Sequence, residues 1–399
     1  MTDIDAREIK SPAGRRYRGL ATASAFASLF SYAIVLIITQ SLNNQVKAEY
    51  QASFSKLGWL APCMMAGFFT AVLVAGHYSD RVGKLPMVLT GALCMAAGAL
   101  MFAVAGSFPL AAAAMLVMGI GGGCSEGASS ALISDLYAGP RRASMMNLSQ
   151  AAFGVGAIVV PIATGSLLKL GIDWRFAYLG TAVVCLATGA LTLTALLQRF
   201  EKPLGIHAGG GWRAVLRDPL IMFLSVGILL YVGAELGQSN WMSVYFLHNL
   251  HADAPLAAMS LSAMWFGIFA GRMIAAWVLR HITESALLCW SLGLAALSEA
   301  SLLLVGSPVP GLVTSFALGT FLGPVFPTIV SRAGAAYPSQ SGLATGMLIS
   351  VGSLGFAIFP PIIGKVADSA GLRPALWICV AILIANFTLF AHLRRSRRP

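Results

Sequence analysis

The sequence predicts an all-α membrane protein of twelve transmembrane helices in two six-helix bundles. Three observations carry that prediction: a composition short of charge, twelve apolar runs of spanning length, and a second half that echoes the first. Of 399 residues, 57% are hydrophobic and 10% charged, with a mean hydropathy of +0.79. Soluble globular chains run at about 45–50% apolar and about 25% charged. A water-facing surface cannot be built from so few ionisable groups, so the excess apolar area faces lipid. That excludes a soluble enzyme, a disordered hub and a nucleic-acid-binding domain.

The runs cover 19–43, 54–78, 85–106, 109–136, 146–169, 175–197, 219–247, 254–280, 282–305, 310–333, 342–365 and 374–392. Each approaches the roughly 20 residues that cross the hydrocarbon as a helix. They must be helices, because an open strand edge leaves backbone groups unsatisfied in lipid. The first run follows Arg15, Arg16 and Arg18. It exceeds the roughly 7–15 residues of a signal-peptide core and has no small-residue cleavage site after it, so it reads as a first span. The loops agree with this count. With the N-terminus inside, 18 Lys and Arg fall in cytoplasmic segments and 6 in outer ones, with Arg272 and Arg332 left within span ends. That is the asymmetry of a multi-pass chain with both termini cytoplasmic, expected in the cell (inner or plasma) membrane. The net charge of +11 is explained by the same loops and calls for no nucleic acid. The six cysteines lie in apolar runs with no CxxC pair and imply neither disulfide nor metal.

The longest loop carries Gly209-Gly210-Gly211 and divides the spans six to six. It gives an N-terminal bundle at 1–198, a cytoplasmic linker at 199–217 and a C-terminal bundle at 218–399. At an offset of 199, Pro161 and Gly165 of span 5 fall on Pro360 and Gly364 of span 11. At 200, Gly119 and Gly123 of span 4 fall on Gly319 and Gly323 of span 10. Duplicated halves are the pattern of a transporter built from repeats, with the site expected at their interface.

Between spans 2 and 3 stands Gly76-His-Tyr-Ser-Asp80-Arg81-Val-Gly83-Lys84-Leu-Pro86. It is a tight turn with a carboxylate–guanidinium pair and a proline at a helix start. This segment resembles the loop 2–3 pattern of the major facilitator superfamily, G-x-x-x-D-R-x-G-[RK]-[RK], at every position but the last, where Leu85 stands. The resemblance makes Gly76, Asp80, Arg81, Gly83 and Lys84 a conformational latch. It narrows over Gly121-Gly-Gly-Cys-Ser-Glu126-Gly, Asn147-Leu-Ser-Gln150, Tyr231-Val-Gly-Ala-Glu235, Trp265-Phe-Gly, Gly271-Arg272, Gly323-Pro-Val-Phe-Pro327-Thr and Gly352-Ser-Leu-Gly355 with Pro360. This combination is similar to the fucose–proton symporter branch, including its glucose/mannose-type members, which import sugars with protons. Span 1 departs from it: Tyr32 and Gln40 are present where some members place an Asp.

Of the 15 acidic residues, Glu126, Glu235 and Glu299 sit well within spans. An ionised carboxylate at mid-bilayer costs at least about 2.5–3.5 kcal/mol on insertion scales. Removal from water favours the protonated form, so such a group can carry a proton near neutral pH. At about 1.5 Å per residue Glu126 lies roughly 15 Å from the inner end of span 4, and Glu235 about 24 Å from the start of span 7. In the resembled fold, spans 1, 4, 7 and 10 line the cavity while 3, 6, 9 and 12 face outward. That makes Glu126 and Glu235 the proton-coupling candidates and leaves Glu299 on the scaffold. Sugar recognition needs amide and carboxylate partners for hydroxyls and an aromatic face for the ring. Tyr32, Gln150, Glu235, Gln238, Asn240, Trp241 and Trp265 are the candidates. Each aromatic has packing or an interfacial belt as the competing reading.

His248 and His251 are spaced i, i+3 in an expected outer loop without carboxylate partners, so no metal site is assigned. No HExxH or nucleophile–His constellation occurs in the spans, which argues against an enzyme, and no cofactor is implied. The expected partners are a sugar-like small molecule, protons and membrane lipid, for a monomer. Two other readings stay open: a proton-driven exporter of drugs or metabolites, and a transporter-like sensor. Val160 before Pro161, where many exporters place a glycine, weighs against the first.

Overall fold

In the computed structural model the backbone is described for residues 12–137, 139–198, 218–279, 281–336 and 341–396, and the side chains at 12–13, 73–81, 134, 139–144, 147, 276, 334, 341–346 and 395–396 lie outside the description. The expected linker 199–217 also lies outside it, as do Arg7, Lys10, Arg280, Arg397 and Arg398. So do the side chains of Gly76, Asp80 and Arg81 in the loop 2–3 motif.

The described residues form helices and no strand. In chain order these are α1 Pro12–Ser41, α2 Asn43–Glu49, α3 Phe54–Gly58, α4 Leu60–Val82, α5 Lys84–Ala103, α6 Phe108–Leu136, α7 Gly139–Lys169 and α8 Arg175–Leu196. After the linker come α9 Pro219–Asn249, α10 Ala254–Val278, α11 Glu284–Leu304, α12 Pro308–Leu322, α13 Val325–Ala336, α14 Ser341–Ala370 and α15 Leu372–Ser396. Eleven helical stretches among the described residues are long and apolar enough to cross a bilayer.

Two expected runs are divided, and one residue expected in a loop is helical. The run at 54–78 is divided into α3 and α4. Pro62 has no N–H to return to the Gly58 carbonyl, and the break falls between them. The run at 310–333 is divided at Gly323-Pro324, for the same reason, into α12 and α13. His248, expected in a loop, lies inside the last turn of α9. Helix starts follow local chemistry. Asp218, Asp253 and Thr283 accept from the backbone N–H of Leu220, Leu256 and Ala286 at 2.6, 2.8 and 3.3 Å. Gly83 separates α4 from α5 at φ 99°, a conformation costly for residues with a Cβ.

The chain divides into two compact units. One takes in residues up to Ile38, Cys63–Val159, and Asp173 onward to the linker. Within it α5 packs on α6 and α8, and Phe102 stacks on Tyr178 at 4.3 Å with Trp174 edge-on to both. Ser31 and Thr188 share a buried hydrogen bond of 2.9 Å. The other unit takes in Thr39–Pro62, Val160–Ile172 and the chain after the linker. In it α9 packs on α14, α15 and α10, α10 on α12, and α11 on α15. In that unit Asn386 donates to the Gly227 carbonyl at 2.9 Å, and Tyr245 to the Leu302 carbonyl at 3.1 Å. Val183, Trp290, Leu297 and Val313 are each more than 60% exposed, as lipid-facing side chains must be.

The internal echo reappears as packing. In the first unit a Cβ on Gly119 would fall on the Met64 carbonyl oxygen; in the second, one on Gly319 would fall on that of Met264. The same helix pair is thus drawn to backbone contact in each half, at an offset of 200 residues for both partners. Small residues are what permit such approach in lipid.

Candidate functional site

Two polar clusters sit in the membrane-spanning helices, one in each unit. In the first, Glu126 on α6 is half-buried and accepts from the Gln150 side-chain amide of α7 at 3.4 Å. Tyr32 of α1 is buried, stacked on Phe68 at 5.8 Å with an interplanar angle of 19°, and tilted against Phe153 at 5.9 Å. Gly122 lets the Tyr32 ring lie directly on α6, because a Cβ there would occupy the ring's own position. Tyr32 is close enough to Glu126 to interact with it electrostatically. The structure therefore brings Tyr32, Glu126 and Gln150, expected from three separate spans, into one neighbourhood.

In the second unit Glu235 and Tyr231 stand one turn apart on α9, and the tyrosine hydroxyl donates to Glu235 Oε1 at 2.6 Å. Both side chains are buried. The Arg272 guanidinium of α10 is near enough to both to interact with them electrostatically. Trp265, also buried, lies seven residues before Arg272, two turns back on about the same helix face. Gln238 is buried and its Nε2 reaches only the Met242 sulfur, at 3.7 Å. Its Oε1 is buried without a hydrogen-bond partner. A carboxamide oxygen left so is costly unless something else supplies the donor.

Trp241 and Asn240 are held differently. Trp241 is fully buried, its indole N–H donates to the Pro360 carbonyl at 3.3 Å, and Phe54 meets its ring edge-on at 5.8 Å. The backbone carbonyl of Asn240 accepts from the Asn43 side chain. The Trp241 indole N–H and the Asn240 backbone thus serve contacts within the protein, and the Asn240 side chain is buried. Glu299 on α11 is fully buried, and neither carboxylate oxygen has a hydrogen-bond partner. Lys84 of the loop 2–3 motif pairs with Asp135 at the end of α6, a partner that the motif itself does not contain.

Tyr231 and Arg272 were not singled out from sequence as site residues. The i, i+4 spacing of Tyr231 and Glu235 was the available signal for the first. For the second it was an arginine inside a spanning helix, which needs a nearby partner.

The sequence profile of the Major Facilitator Superfamily matches residues 19–308 and 238–399. Protein TsgA of Escherichia coli O157:H7 is 24% identical over 358 residues, covering 88% of this chain and 89% of that protein. A TsgA homolog from Buchnera aphidicola subsp. Baizongia pistaciae is 19% identical over 376 residues, covering 93% and 96%. Among solved structures, a bacterial homolog to the human lysosomal transporter Spinster, in an inward-facing and occupied conformation, superposes with a TM-score of 0.77. That match has 15% sequence identity and covers 95% of this chain and 97% of the other.

Proposed function

The chain belongs to the Major Facilitator Superfamily and is a multi-pass membrane transporter, and from that premise we propose that it imports a sugar or related polyol together with protons, by alternating access. The observation that carries the reading is the environment of Glu126: a carboxylate inside a spanning helix whose hydrogen-bonded neighbour is the neutral amide of Gln150. A carboxylate in such a place exchanges a proton at far lower cost than it holds a bare charge. Glu126 is thus the proton carrier. Glu235 is a second acid of another kind, oriented by Tyr231 and balanced by Arg272. It suits the role of acceptor for sugar hydroxyls and the second coupling position. The unpartnered Oε1 of Gln238 invites a hydroxyl donor, and Tyr32, Gln150 and Trp265 supply the remaining amide and aromatic surface. Trp241 and Asn240, next on α9, stay candidate substrate contacts, while the Trp241 N–H and the Asn240 carbonyl also hold α9 in place.

These features support the resemblance to the fucose–proton symporter branch. In this reading both termini and the 199–217 linker face the cytoplasm of a cell inner membrane. The duplicated halves 1–198 and 218–399 supply the moving bundles, with Thr39–Pro62 and Val160–Ile172 packed in the second compact unit; the loop 2–3 turn latches one conformation, a monomer suffices, and no cofactor takes part.

A thermal-shift screen of the purified protein against hexoses, pentoses, amino sugars and common drugs tests the reading. A ligand that binds the folded state raises the unfolding midpoint by mass action. Stabilisation confined to one sugar class is the expected result. Stabilisation by lipophilic drugs with none by sugars overturns it in favour of an exporter. Ligand stabilisation without flux in vesicles would mark a sensor.

A further inference from the structure

We propose that residues 43–58, formed by α2 and α3, are a strap that seals one face of the transporter, and that the Asp368 carboxylate is its clasp. At its start the strap is tied to α9. The Asn44 side chain donates to the Ser243 carbonyl at 2.9 Å, and the Asn43 side chain to that of Asn240. Just before it, the Gln40 carbonyl accepts from the Ser243 hydroxyl at 2.6 Å. Beyond α2 the chain turns through Gln51, which has a left-handed φ of 46°. At its far end Asp368 of α14 accepts from the backbone N–H of Phe54 at 2.7 Å and of Ser55 at 2.9 Å.

The clasp follows from how α3 begins. A helix start leaves its first N–H groups without partners inside the helix. Here the local cap, Ser53, accepts from Lys56 at 3.1 Å, which leaves Phe54 and Ser55 to be met from elsewhere. A carboxylate is the strongest available acceptor for two such donors.

The repeat shows that this is specific to one half. Gly364 lies against the Phe54 carbonyl, and Gly165 against that of Pro255, so both halves bring a helix to a helix start in the same manner. At the 199-residue offset, however, the position of Asp368 is occupied by Lys169. The corresponding start, at α10, is capped by its own Asp253, and Pro255 has no N–H to offer. Of these two helix starts, that of α3 is met by a carboxylate from another helix and that of α10 by its own Asp253. Asp368 is exposed, so releasing it leaves a hydrated charge rather than a buried one. The bonds to α9 are buried and open only when water can reach them. The clasp thus controls an opening that the buried bonds make cooperative.

The test requires no substrate, so its failure is distinguishable from failure of the sugar reading. The six native cysteines are replaced, Gln238→Cys is introduced as a reporter, and a membrane-impermeant maleimide is applied to vesicles with the strap face outward. Asp368→Asn should raise the labelling rate by about 5- to 30-fold, the population shift expected from losing one or two surface hydrogen bonds to a charge, and Asp368→Glu should restore slow labelling. Equal rates in the parent and Asp368→Asn proteins overturn the clasp. With Asp368 intact, the pair Gln40→Cys and Ser239→Cys, whose parent side chains are hydrogen-bonded, should oxidise to a disulfide. After cleavage at a protease site placed in 199–217, the fragments should stay joined until reduced, and labelling of the Gln238→Cys reporter should stop. Fragments that separate without reductant, or labelling that continues through the cross-link, overturn the strap.

Discussion

Replacing Tyr231 by phenylalanine removes one oxygen and little else. The ring keeps its tilted contact with Phe326, at 6.2 Å between centroids, and loses the 2.6 Å bond to Glu235 Oε1. Tyr231 is fully buried and Glu235 nearly so, so water does not readily replace the lost donor. A hydrogen bond to a charged group contributes about 1.5–3 kcal/mol net, and every 1.4 kcal/mol is tenfold in an equilibrium constant. If the bond aims Glu235 at a sugar hydroxyl, Tyr231→Phe should raise the dissociation constant by roughly ten- to 150-fold. Calorimetric titration of the detergent-purified protein with the sugar chosen by the thermal screen reads this directly. The same substitution in a Glu235→Gln background should change affinity by less than about threefold, because its charged acceptor is already gone and residues in contact couple rather than add. Unchanged binding by Tyr231→Phe, or an equal loss in both backgrounds, would refute the reasoning.

Gln238→Ala and Glu235→Ala should each weaken sugar binding by about 5- to 150-fold in calorimetry, the cost of leaving a ligand hydroxyl unpaired. Tight binding by both variants would place the site elsewhere. Arg272→Gln removes a charge that acts electrostatically on Glu235 and should lower both folding stability and sugar affinity, while Arg272→Lys retains part of each; thermal midpoints and titrations check it. Asp80→Asn and Gly83→Val should slow transport with little change in affinity, since a latch shifts conformational populations rather than intrinsic contacts. At Gly83 the φ of 99° adds backbone strain to any branched side chain. A large rise in dissociation constant with unchanged turnover would contradict that assignment.

The helical membrane architecture was legible because lipid leaves so few alternatives: apolar runs of spanning length can only be helices. The duplication was legible too, since Gly119 and Gly319 keep both their spacing and their backbone partners, Met64 and Met264. Glu126, Gln150 and Tyr32 could be nominated singly from residue type and depth. That they meet depends on Gly122 admitting the Tyr32 ring, which no periodicity reports. Trp241 was likewise nominated from type and position, and its N–H bond to Pro360, a residue 119 positions away, is a contact that no sequence pattern reports. The breaks at Gly58–Pro62 and Gly323–Pro324 were missed because membrane helices often keep their prolines, as α7 keeps Pro161 and α14 keeps Pro360 and Pro361. The Asp368 clasp joins residues 314 positions apart through backbone N–H groups, so no side-chain pattern announces it.

The central claim is that a proton carried on Glu126 drives accumulation of a sugar. Its most direct test is uptake of the screened sugar into proteoliposomes under an imposed inward proton gradient, with the parent protein and Glu126→Gln side by side. The account predicts that the parent accumulates sugar above the external concentration and that collapse of the gradient abolishes this. It predicts that Glu126→Gln still exchanges internal for external sugar but never concentrates it. Accumulation by Glu126→Gln equal to that of the parent would contradict the account.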